Sequence, residues 1–422
     1  CRGKVIEPGG AILFPDSMGT LYSAITQWLG FLDYGDEYKV MGLAAHGVDS
    51  FADAMRSLVS ISHDGRFALD LRYFRHHRDR VYSLGSDGQP SVESLFSERL
   101  EELLGPRREP GEPVSKRHRD IACSLQCRYE EVLFALLKEL HKNCGLPALA
   151  LAGGCALNAK ANGMIRERTP FRRLFVPPAA GDAGGALGAA LVTWFSLEPG
   201  AERLPLRHAS WGPSYSSAEV AAEVERRRDD LAKARCDIES ALSETVRCDR
   251  AAELLAQGQL VAWFQGGLEW GARALGHRSI LGDPRRSEMR ERINTCVKRR
   301  EDFRPFAPAV LGERVADWFA RDEDTPFMTE VIPILPAQLE RVPAIAHADG
   351  TARVQTVDRA HQPLFHQLIR QFEQRTGVPM VLNTSFNVRE PIVCTPADAL
   401  DCFLRTSMDC LVIEDHVITR RA

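Results

Sequence analysis

The sequence predicts an α/β protein. Three observations carry that expectation: apolar runs of strand length recur along the chain, glycine-rich turns follow several of them directly, and helical periodicity fills text between them. At 422 residues the chain exceeds the roughly 150 expected of one domain. The aperiodic stretch 197–220, rich in proline, glycine and serine, is where two domains are expected to meet, spanning 1–204 and 205–422.

Taken in order, RFALDLRY alternates Phe67, Leu69, Leu71 and Tyr73, the pattern of a half-buried strand. GPRREPGEPVSKRHRD, residues 105–120, concentrates proline, glycine and charge and reads as an exposed loop. From Ile121 to Cys144, Leu125, Tyr129, Val132, Leu133, Leu136, Leu137 and Leu140 recur at helical spacing, which predicts a long amphipathic helix. ALALAGGCALN gives a short apolar strand, the Gly153-Gly154 turn and a new helical start. RLFVPP reads as another, buried strand, and GGALGAALVTWF as a helix whose small residues allow close packing. The second domain opens with helical text, and buried strands are expected in QLVAWFQGG, VPMVLNTSFN and DCLVIEDHVIT.

Composition narrows the classes of function. No apolar run is long enough to span a bilayer, and a net charge of −4 supplies no global field for nucleic acid. Among the arginine-rich runs, VKRRED suits a small anion instead, while Arg226, Arg227 and Arg228 of VERRRDD read as a solvated helix face. Eleven cysteines, an odd number that includes Cys1, form no CxxC pair and fit the reduced thiols of a cytoplasmic protein; Cys123 and Cys127, one helical turn apart, read as packing. The text opens on CRGKVIEPGG without methionine, and the expectation is a fragment of a longer protein.

Two glycine turns in the first domain follow apolar strands, where backbone N–H groups can meet phosphate oxygens at a helix start. Asp182 sits in the second, PPAAGDAGGALGAA, and fits two roles: N-cap of the following helix, or ligand of a cation beside a nucleotide. The twelve histidines offer no HxxxH or HxxH pair as co-ligands. In the second domain, GGLEWGARALGHRSILGDPRR carries Arg273 and Arg278, and VKRREDFRPFAP carries Lys298, Arg299, Arg300 and Arg304. Guanidinium groups hold phosphate by a planar fork, and Phe303, Pro305, Phe306 and Pro308 place Arg304 in a partly apolar wall. HADGTARVQTV adds His347, Asp349 and Arg353. VLNTSFN ends a strand in Asn383, Thr384, Ser385 and Asn387, which either bind a small polar ligand or form a turn.

In this order, GDEYKVMGLAAHG, GGCALN, VPPAAGDAGGALGAAL, ARALGHRSIL, KRREDFRPFAP, HADGTARVQTV, NTSFN and MDCLVI resemble the O-carbamoyltransferases of the nodulation and antibiotic-tailoring type. The resemblance implies the C-terminal part of a TsaD-like, actin-like (ASKHA) ATP-binding domain followed by a YrdC-like α/β domain. It implies that carbamoyl phosphate and ATP become carbamoyl adenylate, whose carbamoyl group passes to a hydroxyl of a small-molecule acceptor, a natural product or sugar. Arg273, Lys298, Arg304 and Arg353 match positions that hold the phosphoryl groups. Asn383, Ser385 and Arg278 are expected to contact substrate, and Gly153, Gly154 and Asn158 the nucleotide. Asp182 matches the aspartate of a metal site, usually iron with magnesium also conceivable, whose two histidines lie in an HxxxH motif expected upstream of Cys1. GARALG stands where GPRALG is usual, and Arg389 stands where glycine is common. The competing expectations are the threonylcarbamoyl-transfer machinery of tRNA modification and a nucleotide-binding module without catalysis; neither nucleic acid nor membrane is expected as a partner.

Overall fold

The computed structural model describes residues 9–84, 88, 90–203, 205–301 and 303–421; Cys1, and Leu204 at the expected domain junction, lie outside the described residues. The chain packs as two units, Cys1–Leu149 with Ile165–Leu174, and Ala150–Met164 with Phe175–Ala422.

The first unit gathers helices Met18–Trp28, Glu37–Ala44 and Ala52–Leu58 against a long helix, Lys116–Cys144. That helix begins five residues before Ile121, inside the stretch expected to be loop. A capping box explains the difference: Ser115 Oγ accepts the His118 N–H, and His118 Nδ1 accepts the Ser115 N–H. Histidine replaces the usual Glu or Gln and hides the signal. The strand expected over residues 67–73 forms only as Phe67–Leu69, because Asp70 accepts the Arg72 N–H at 3.1 Å and turns Leu71–Tyr73 into a 3-10 helix.

Strands also form at Ala148–Ala150 and Arg173–Phe175, but in a two-stranded sheet of their own, so Arg173 and Phe175 are exposed where a buried strand was expected. The expected helix is Gly184–Leu197. None of its residues is buried, and of its glycines only Gly184 makes a close approach, with the Ala179 carbonyl 2.3 Å from where a Cβ would lie.

The second unit is built on an eight-stranded mixed sheet in the order Gln355–Val357, Ala307–Leu311, Met380–Ser385, Arg278–Gly282, Val261–Phe264, Cys410–Ile413, His416–Arg420 and Cys236–Glu239. Gln355–Val357 with Ala307–Leu311, and Val261–Phe264 with Cys410–Ile413, run parallel; the other neighbours are antiparallel. Central strands such as Val261–Phe264 and Ala307–Leu311 are buried along their whole length, as a sheet covered on both faces requires. Helices Glu244–Ala256 and Pro363–Thr376 pack on each other and on these strands. Ser243 caps the first by accepting the Val246 N–H, and Gly377, at φ 70°, ends the second. The three expected strands are present, DCLVIEDHVIT as a hairpin of two.

Candidate active site

Met380, Val381 and Leu382 anchor their strand in the core and deliver Asn383 to mid-sheet, opposite Ala307 on one side and Leu281 on the other. Asn383 is 1% exposed. Its Nδ2 donates to Gln355 Oε1 at 2.9 Å and to the Ala274 carbonyl at 3.3 Å, while its Oδ1 is buried without a partner.

Basic side chains gather about Arg353. Arg353 lies two residues before Gln355, Arg273 directly before Ala274, and Arg304 three before Ala307. Arg353 Nε is buried with no hydrogen-bond partner. Burial, followed by the positive charges of Arg273, Arg300 and Arg304, holds the Arg353 pKa well below the usual guanidinium range. Arg300 stacks on Phe306, 4.6 Å from the ring centroid, and bonds Asn294 Oδ1; Arg304 faces Glu301 at 3.7 Å. Four like charges thus stand together in a wall that Phe306 makes partly apolar, with Glu301 at its edge.

Lys298 borders the same group. It ends a π-helical turn, Asn294–Lys298, and Arg299 follows at φ 47°, which carries the next residues away while Lys298 points inward at 2% exposure. Its Nζ donates to the Ser385 carbonyl and Oγ and to the Asn387 carbonyl and Oδ1 at 2.5 to 3.1 Å. Burial, with help from Arg300 and Arg304, pushes its pKa down. Ser385 is thus already held by Lys298 and by Asn387, to which it donates at 2.7 Å. Arg389 is exposed and donates to the Arg299 carbonyl at 2.7 Å, tying two loops together.

The structure does not bring Arg278 to this cluster. Fully buried, it stacks 3.5 Å from the Phe264 ring centroid and donates to the carbonyls of Gln265, His277 and Pro213. Glu269, which the sequence reading passed over, supports it. One oxygen of this buried acid accepts the N–H groups of Leu275, His277 and Arg278 at 2.7 to 3.2 Å, shaping the turn that carries Arg273. A lone acid in a turn with successive unpaired N–H groups was the available signal.

The glycine turns lie in the same unit. Gly153, at φ 97°, and Gly154 face open space where a Cβ would stand, as a backbone that must admit a ligand closely requires. The Gly153 N–H, however, is committed to the Ala180 carbonyl at 2.7 Å, and Asn158 Oδ1 caps the next helix at the Ala161 N–H. That helix is fastened to the ribbon bearing Arg353: Asn162 donates to the Thr329 carbonyl, and a Cβ on Gly163 would sit 2.0 Å from the carbonyl oxygen of Val331, which pairs with Arg353. The loop before Asp182 reaches the Arg273 turn, with the Pro178 carbonyl 2.5 Å from a Cβ on Gly271. Asp182 is exposed, and the N-cap position falls to Ala183 with no side-chain cap, so the capping role is not taken. Among the described residues no three His, Cys, Asp or Glu side chains gather as a metal site.

Lys160 pairs with Asp349, beside His347. Thr351 gives its hydroxyl proton to Asp349 at 2.6 Å, so His347 Nδ1 donates to Thr351 Oγ1 at 3.1 Å and Nε2 is a bare, buried nitrogen. Burial, then Arg353, Lys160 and Arg290, lowers the His347 pKa to about 3, against the attraction of Asp349. Because the unfolded chain binds this proton more tightly, His347 supports folding above the unfolded value near 6.5, and that support is lost as pH falls toward 3. Each unit of that window costs at most about 1.4 kcal/mol. Urea midpoints measured at about pH 7.5 and about pH 4.5 should therefore fall more for the wild type than for His347→Gln; equal losses would refute it.

Two family models match: the carbamoyltransferase N-terminus over residues 2–191, which holds the glycine turns and Asp182, and the carbamoyltransferase C-terminus over residues 252–420, which holds the arginine cluster. The chain is 39% identical to an uncharacterized protein of Synechocystis over its whole length and 37% identical to nodulation protein NolO of Bradyrhizobium diazoefficiens over 97% of it, spanning 70% of each. The chain belongs to the carbamoyltransferase family. Other family members include nodulation protein NolNO of Sinorhizobium fredii, 38% identical over 99% of this chain, which spans 58% of that relative's length. The 3'-hydroxymethylcephem-O-carbamoyltransferase of Streptomyces clavuligerus is 37% identical over 57% of this carbamoyltransferase chain and 42% of its own. No helix among the described residues is long and apolar enough to cross a membrane.

Proposed function

We propose that this chain carries the carbamoyl-activating site of an ATP-dependent O-carbamoyltransferase, with a small-molecule hydroxyl as acceptor. The observation that supports it is the gathering of Arg273, Arg300 and Arg304 about Arg353, within the stretch similar to the carbamoyltransferase C-terminus. The cephem O-carbamoyltransferase among its relatives names the kind of transfer.

In this reading the arginines gather carbamoyl phosphate and the ATP polyphosphate, two anions that otherwise repel, while Lys298, its Nζ held by Ser385 and Asn387, fixes the strand end and adds its charge beside them. Water divides carbamoyl phosphate into carbamate and phosphate. A carbamate oxygen then bonds to the α-phosphorus of ATP, pyrophosphate leaves, and carbamoyl adenylate remains. The arginine charge stabilises the phosphate oxygens as each P–O or C–O bond breaks. Gly153, Gly154 and Asn158 line the nucleotide approach, in an arrangement we assign to TsaD-like and YrdC-like parts meeting near residue 205. Asp182 contributes one carboxylate, too little by itself to hold iron.

The test is pyrophosphate release by the purified chain from ATP with and without carbamoyl phosphate. Release that requires carbamoyl phosphate is expected; release equal in its absence, or none with both present, overturns the reading.

A further inference from the structure

Asp349 holds two parts of the second unit, one with each carboxylate oxygen. Oδ1 accepts the Thr351 N–H at 3.2 Å and the Thr351 hydroxyl at 2.6 Å, fixing the turn that opens strand Thr351–Arg353. Gly350, at φ 74°, shapes that turn, and the His347 N–H donates to the Thr351 carbonyl at 2.8 Å across it. Oδ2 takes the ammonium of Lys160, 189 positions earlier in the chain. Burial raises the Asp349 pKa, but the bonds from Lys160 and Thr351 outweigh it and hold the carboxyl below its ordinary range, so the pair is charged at neutral pH.

Lys160 lies in the first turn of helix Ala159–Arg168, which leaves the glycine turn directly. Asn162 ties helix and turn together: its Nδ2 donates to the Ala156 carbonyl at 2.7 Å and to the Thr329 carbonyl at 3.0 Å. Gly163 lies against the Val331 carbonyl, so the helix meets one strand of the ribbon through its backbone. Lys160 reaches the other strand at its opening turn, two residues before Arg353. Resting on the function proposed above, we infer that Lys160 is a positioning residue: through Asp349 it holds Arg353 at a fixed separation from the glycine turn, so that phosphate and nucleotide meet in reacting geometry. A misplacement of about 1 Å in reacting groups costs up to about 100-fold in rate, and slackening one of three fastenings should cost about 10-fold.

Carbamoyl-phosphate-dependent pyrophosphate release by the purified chain tests this. Lys160→Met should lower kcat about 10-fold with KM for ATP little changed, and Lys160→Arg, which keeps the charge, should stay within about 3-fold of the wild type. Urea midpoints of the three should nearly coincide, because the ion pair is partly open to water, its side chains 32% and 27% exposed. A residue acting through Arg353 has nothing left to position once that side chain is gone, so adding Lys160→Met to Arg353→Met should cost less than about 2-fold. Wild-type rates in Lys160→Met, or an undiminished further loss on top of Arg353→Met, overturn the inference and leave the proposed function standing. So does a loss of rate matched by a lowered urea midpoint, which makes Lys160 structural. No carbamoyl-phosphate-dependent release by the wild type overturns both.

Discussion

Replacing Arg353 by methionine is expected to lower kcat/KM for carbamoyl-phosphate-dependent pyrophosphate release by about 100-fold while raising the melting temperature. The two effects have one cause. Arg353 Nε is buried without an acceptor, and the side chain shares its surroundings with Arg273, Arg300 and Arg304. A buried charge without a partner opposes folding, and so do like charges held together. The same arrangement is what a bound phosphate relieves: each charge-assisted hydrogen bond contributes about 1.5 to 3 kcal/mol, and losing a planar fork removes two of them. Arg353→Lys keeps the charge without the fork and should lie between, near 10-fold. Inorganic pyrophosphate should raise the melting temperature of the wild type and leave that of Arg353→Met nearly still, because only a site that binds transmits ligand stabilisation. A lower melting temperature with normal activity would make Arg353 a structural residue and sink the assignment.

The parts of this site that were legible in the sequence are those where one residue's chemistry conflicts with its local text. Arg304 among Phe303, Pro305 and Phe306, and Asn383 after Val381 and Leu382, are polar groups in apolar surroundings; Arg304 stands among the arginines about Arg353, and Asn383 is buried against Gln355. Arg278 shows the same conflict for another reason: it packs on Phe264 and satisfies carbonyls of its own turn. Local text cannot separate these cases, because the difference lies in which acceptors the fold brings within 3.5 Å. Strands Arg278–Gly282 and Ala307–Leu311 were hidden as well, since arginine and proline at their starts read as loop while the sheet supplies their burial from both sides. Gln355 was illegible because its role is to orient Asn383, 28 positions away. The exposed helix Gly184–Leu197 is the converse: its composition is apolar, but burial is a property of neighbours, and none of its residues is buried in this chain.

Glu269→Ala is expected to be the most destabilising single change in the second unit, by about 3 to 5 kcal/mol in urea unfolding. Its Oε1 accepts three backbone N–H groups, from Leu275, His277 and Arg278, in a turn where Gly271 and Gly276 take φ of 125° and 103°. Those conformations turn successive N–H groups toward one point, so a single acceptor serves all three and its loss strands all three. Glu269 is also an attractive charge for Arg278, whose own hydrogen bonds go to neutral carbonyls and whose pKa is lowered by burial. Alanine therefore leaves an enclosed cation with Glu414 but without its stronger counter-charge, as well as a turn without its acceptor. Glu269→Gln keeps an oxygen in place and loses only the charge, so its cost should be smaller, about 2 kcal/mol. The order alanine, glutamine, wild type in rising urea midpoint is the diagnostic result. Equal, small losses below about 1 kcal/mol would mean that water satisfies the turn unaided.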